Sequence, residues 1–88
     1  MAVRVTIETR RREAAEVVTQ HLTECTRPRH RRGLVVTQVV ARSAAETAEL
    51  VEKIAELLEK RPDLGWIRIR YGDESLVFRP NGRHRRSR

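Results

Sequence analysis

Residues 43–60, SAAETAELVEKIAELLEK, do more than any other stretch to limit the folds open to this chain. Ser43 followed three residues later by Glu46 is a capping box: the hydroxyl takes an unpaired N–H of the first turn, and the carboxylate reaches back. Ala48, Val51, Ile54, Ala55 and Leu58 then recur at three- and four-residue spacing, so a helix is predicted from Ala44 to about Lys60. Glu49 with Lys53, and Glu56 with Lys60, are i,i+4 pairs in the favourable order. Pro62 ends the helix. A helix that is apolar on one side must lay that side against a second layer. The chain has 88 residues, enough for one small domain. Such a domain buries only roughly 60% of the surface its unfolded chain exposes, so its core is thin.

The rest of the chain supplies that second layer. Val3 to Ile7 alternates apolar and polar residues, the period of a half-buried strand. Thr9 is the expected N-cap of a first helix whose stripe is Ala14, Ala15, Val18, Leu22 and Cys25, stopped by Pro28. Leu34 to Ala41 is valine-rich and interrupted only by Thr37 and Gln38, which suits a central strand. Trp66 to Tyr71 and Ser75 to Arg79 read as a hairpin around YGDES. Pro80 to Arg88 has no apolar residue and is expected to be a disordered basic tail, leaving residues 1–79 as a single domain. The order is β-α-β-α-β-β. The expected fold is an α/β two-layer sandwich: a mixed four-stranded sheet, two helices on one face, the other face open, and the fourth strand antiparallel. Right-handed crossovers would put both helices on one face, and the first three strands would run parallel.

This order, over about residues 3–79, resembles the two-layer fold of the Alba chromatin proteins and of the C-terminal domain of bacterial translation initiation factor three. The SirA/TusA sulfur carriers share the order. The regularity of VVARSAAETAELVEKIAELLEK followed by IRIRYGDESLVF also resembles idealised, computationally designed α/β proteins. The resemblance implies strand order 1-2-4-3, with strand four antiparallel. Sulfur carriers open their first helix with a Cys-Pro pair; here that place reads TRRREAA, so their activity is not carried over. Alba proteins carry a long basic arm between their last strands, whereas GDES here is short and acidic.

Several classes of chemistry find no support in the sequence. There is no glycine-rich phosphate loop, nucleophile elbow or motif-placed carboxylate pair, so the expectation is not an enzyme and no cofactor. His21, Glu24 and Cys25 lie within about one helical turn, but zinc wants four ligands and no second pair completes the set. Cys25 continues the apolar stripe and reads as a small core residue. A lone cysteine excludes an internal disulfide and fits a reducing compartment. No apolar run approaches the roughly 18 residues a membrane span needs. A cytoplasmic protein without a membrane partner or small-molecule substrate is expected.

Charge is the remaining signal. The net charge is +7, and 17 of the 19 basic residues are arginine, whose planar fork suits phosphate. TRPRHRRG, residues 26–33, and the tail concentrate it. In the expected topology both emerge at one end of the sheet, where Arg27, Arg29, Arg31, Arg32, Arg83, Arg85, Arg86 and Arg88 would form an electrostatic clamp. Strand alternation sends Arg4, Thr6, Trp66, Arg68, Arg70, Val77 and Arg79 outward from the helices. Of these, Arg68, Arg70, Arg79 and Trp66 would form a secondary platform, with Arg68 opposite Arg79. Eight of the twelve acids, Glu24 among them, fall on the helices, so an acidic helical layer should face away from a basic sheet. The leading reading is a small basic module that contacts RNA or DNA mainly through phosphates, with little sequence readout. A scaffold or designed protein without an evolved ligand stays open beside it, as does a protein-interaction domain that uses the acidic helices.

Overall fold

A computed structural model describes residues 3–22, 27–79 and 82–87. Glu24, Cys25 and Arg88 lie outside the described residues, and the expectations that rest on them go no further. The chain runs β1 (Val3–Thr9), α1 (Arg12–His21), β2 (Arg29–Arg31), β3 (Leu34–Ala41) and α2 (Ala44–Lys60). A short 3-10 turn at Pro62–Leu64 leads to β4 (Ile67–Tyr71), β5 (Glu74–Arg79) and β6 (Gly82–Ser87). It is a small α/β domain: two helices cover one face of an antiparallel sheet of order β2-β3-β1-β4-β5-β6.

This corrects the expected mixed sheet and its 1-2-4-3 order. β1 lies between β3 and β4 and is antiparallel to both. The reason is β2. TRPRHRRG was read as a loop, but Arg29–Arg31 is a strand that pairs with Val36–Leu34. That extra pass along the sheet reverses β3 relative to β1. Both helical connections join strands of the same direction with one strand between them: β1-α1-β2 spans β3, and β3-α2-β4 spans β1. The fold implied by the resemblance to the Alba and initiation-factor domains is therefore not the fold observed. The tail differs too: residues 82–87, expected to be disordered, are placed as edge strand β6 along β5.

The elements follow from their residues. α2 has the predicted bounds: the Ser43 hydroxyl accepts from the Glu46 N–H at 3.1 Å. The Glu46 carboxylate reaches back to the N–H of Arg42 at 2.9 Å. Its buried stripe is Leu50, Ile54, Ala55, Leu57 and Leu58, turned from the expected one because two leucines outweigh Ala48 and Val51. α1 starts later than expected. Thr9 remains in β1, cross-strand from both Val35 and Ile67, and Arg11 is an N-cap without a side-chain hydrogen bond.

The core lies between the helices and one sheet face. Val5, Ile7, Ile67, Ile69 and Phe78 meet Val18, Ile54 and Leu64 there. On β1, β4 and β5 these inward residues alternate with Arg4, Thr6, Arg68, Arg70, Val77 and Arg79, and Tyr71 and Leu76 are half-buried at the core's margin. Arg61 fastens the end of α2: its guanidinium donates to both Asp63 carboxylate oxygens, at 3.0 and 2.9 Å. These hydrogen bonds hold the Asp63 carboxyl below the usual aspartate range and raise Arg61. Arg11 donates to the Asp63 carbonyl at 2.7 Å, tying the start of α1 to the same turn.

Candidate nucleic-acid interface

The two helices leave the second face of the sheet open. Period-two alternation sends Arg4, Thr6 and Glu8 of β1 to that face. Their neighbours there follow from the register: Val40, Gln38 and Val36 on β3, and Arg70 and Arg68 on β4. Two tight hairpins raise its sides. At the β2–β3 turn, Arg32 (φ 52°) and Gly33 (φ 79°) both have positive φ, the signature of a type I′ turn between Arg31 and Leu34. At the β4–β5 turn, Gly72 (φ 57°) is followed by Asp73, and Tyr71 pairs with Glu74.

Between these hairpins is an open concavity of about 520 Å³. Its cationic lining is Arg4, Arg31, Arg32, Arg68 and Arg70, and its single acid is Glu8. Glu8 is only 7% exposed. It sits directly across from Arg68, whose Nε donates to Glu8 Oε1. Arg70 approaches the other carboxylate oxygen at 3.6 Å. Arg4, Arg31 and Arg32 have no acidic partner among the described residues. The floor of the basin is thus neutralised in part, while its rim keeps uncompensated charge.

The sequence-predicted site divides. Arg31 and Arg32 of the loop meet Arg68 and Arg70 of the platform in this basin. Arg27 and Arg29 are exposed nearby, Arg29 across from Val36. The expected meeting of loop and tail does not occur. β2 and the start of β6 share one end of the strands, but they are opposite edges of the sheet. One cross-strand row runs His30, Val35, Thr9, Ile67, Phe78, Arg83. Five interstrand steps separate its ends, a distance of about 24 Å at ordinary strand spacing. Arg83, Arg85 and Arg86 lie on β6, away from the basin. Arg68 faces Val77 and not Arg79, because the turn holds two residues where a longer one was expected; Arg79 is exposed at the end of β5.

Trp66 is half-buried just before β4. The guanidinium groups of Arg10 and Arg68 stand 5.8 and 5.9 Å from its ring centroid. Each such contact is worth about 0.5–1 kcal/mol at an exposed site. The indole therefore helps to hold Arg68 beside the basin.

Glu8 was missed by sequence reasoning, and Arg4 was placed outward but not assigned to the site. Extending the alternation of Val3–Ile7 by one period would have sent Glu8 to the open face with Arg4 and Thr6. Reading Thr9 as a helix cap hid that signal.

Behind the sheet the surface has the opposite sign. Glu13 and Glu16 on α1, and Glu46, Glu49, Glu52, Glu56 and Glu59 on α2, are all exposed. Among the described residues no group of three His, Cys, Asp or Glu side chains could hold a metal ion. No helix among them is long and apolar enough to cross a membrane. No protein-family model, curated protein or solved structure matches the chain.

Proposed function

We propose that this chain is a small binding module for RNA or DNA that makes its contacts mainly through phosphates, and that the open sheet face is the contact surface. The observation that carries the reading is the convergence of five arginines, from β1, β2, the β2–β3 turn and β4, on one concavity with a single acid. Guanidinium forks match phosphate oxygens in pairs. A basic sheet backed by an acidic helical layer also steers a polyanion toward that face. Readout of sequence is slight: the chain has one tryptophan, and an indole stacks on any base. Arg83, Arg85 and Arg86 of β6 add long-range attraction from the far edge.

A mobility-shift titration of the full chain against single- and double-stranded RNA and DNA, at two salt concentrations, tests the reading. Binding should weaken as salt rises. The double substitution Arg31→Ser/Arg32→Ser should weaken it further and flatten the dependence of log K on log salt. Each lost phosphate contact removes about 0.7 from that slope for single strands and about 0.9 for duplex DNA. If the intact protein binds no nucleic acid at low salt, the reading fails. The seven exposed helix acids then favour the second reading, a domain that meets a basic protein partner through α1 and α2.

A further inference from the structure

Glu8 is the one acid among the described residues that line a basin with five arginines, and the local structure keeps it there. Its backbone is held in the central strand, paired with Val36 on one side and Arg68 on the other. Its carboxylate is nearly covered, with one oxygen on Arg68 and the other facing Arg70. A carboxylate shared by two guanidinium groups is a monoanion in the geometry a phosphodiester would take. We propose that Glu8 is a built-in competitor for phosphate: it occupies the floor arginines, confines a bound strand to the rim, and so sets the affinity of the site. This rests on the nucleic-acid reading given above.

The charge balance supports that division. Five arginines and Glu8 leave the basin at +4, since 5 − 1 = 4, and the missing unit is taken at the floor. A phosphate entering between Arg68 and Arg70 meets the Glu8 carboxylate at close range, and like charges there are unfavourable. Arg4, Arg31 and Arg32 carry no such neighbour among the described residues. They are the groups a strand engages first. Replacing Glu8 with glutamine keeps the side chain's shape and an acceptor for Arg68 but removes the charge.

The test compares the full wild-type chain with Glu8→Gln, using a homothymidine single strand titrated at several salt concentrations. Glu8→Gln should bind about tenfold more tightly at low salt, and its salt slope should steepen by about 0.7, one added phosphate contact. A second measurement needs no substitution: the Arg Nε–H resonances of the wild-type chain, followed as the strand is added. Those of Arg31 and Arg32 should shift, while that of Arg68, still on Glu8, should not. Binding by the wild type with an unchanged or weakened Glu8→Gln, or with an early shift at Arg68, overturns the competitor role and leaves the nucleic-acid reading standing. No binding by either chain overturns both.

Discussion

Three polar side chains among the described residues are buried in the sheet, and they differ in how they are satisfied. Thr9 donates its hydroxyl to the Arg11 carbonyl at 3.2 Å. Glu8 faces the open side and is matched by two arginines. Thr37 faces the helices, cross-strand from Ile7, and is 1% exposed. Its hydroxyl has no hydrogen-bond partner among the described residues. An unsatisfied buried hydroxyl costs about 1–3 kcal/mol, because its bonds to water are lost and nothing replaces them. Valine has nearly the same shape without that oxygen. Thr37→Val should therefore raise stability by about 1 kcal/mol, seen as a higher denaturant midpoint at unchanged slope. A lower midpoint would show that the hydroxyl finds a partner in solution. The strand's valine-rich pattern allowed a polar interruption at Thr37 and Gln38. Which of the two faces the core follows only from the register with β1.

The elements differ in how plainly the sequence announced them. α2 was legible to the residue, because a serine hydroxyl and a glutamate at capping-box spacing fix its start chemically. Ser43→Ala should lower stability by about 1 kcal/mol in a denaturant titration, since the Glu46 N–H loses its acceptor. An unchanged midpoint would mean that water caps the helix equally well. The stripe of α2 was less legible. Spacing alone weighs Ala48 like Leu50, whereas burial favours the larger side chain. β2 was hidden for a different reason. Three exposed residues, Arg-His-Arg, carry no apolar alternation, and an arginine takes the first turn position, where Asn or Asp would have signalled a type I′ hairpin. Missing that strand reversed β3 and made the sheet look mixed. The register of β4 and β5 turned on a similarly short element: Gly72 and Asp73 suffice for the turn, so Glu74 belongs to β5. Most of the site's cations were therefore identified as residues, while their grouping depended on two hairpins whose turns are two residues long.

Across the molecule, charge is sorted by face and by edge. The helices present acids, the open sheet presents the arginine basin, and β6 carries Arg83, Arg85 and Arg86 along the far edge. If nucleic acid binds as proposed, the three groups of arginines should couple according to distance. Arg31 and Arg32 share the basin with Arg68 and Arg70, and that floor pair holds the Glu8 carboxylate next to the phosphates the rim would bind. Arg83 to Arg86 stand about 24 Å from β2, well beyond the screening length of about 8 Å at physiological salt. Two double-mutant cycles on binding free energy make the distinction measurable. Arg31→Ser/Arg32→Ser combined with Arg68→Ser/Arg70→Ser should depart from additivity, because losing the floor pair leaves the Glu8 charge unpaired beside the phosphates that Arg31 and Arg32 hold. The same loop variant combined with a chain ending at residue 79 should be additive within about 0.5 kcal/mol. Strong coupling between loop and tail would place them on one polyanion site, against the separation of β2 and β6. Additivity in both cycles would mean that the basin does not act as one site, and that its arginines contribute only to the field of a basic surface.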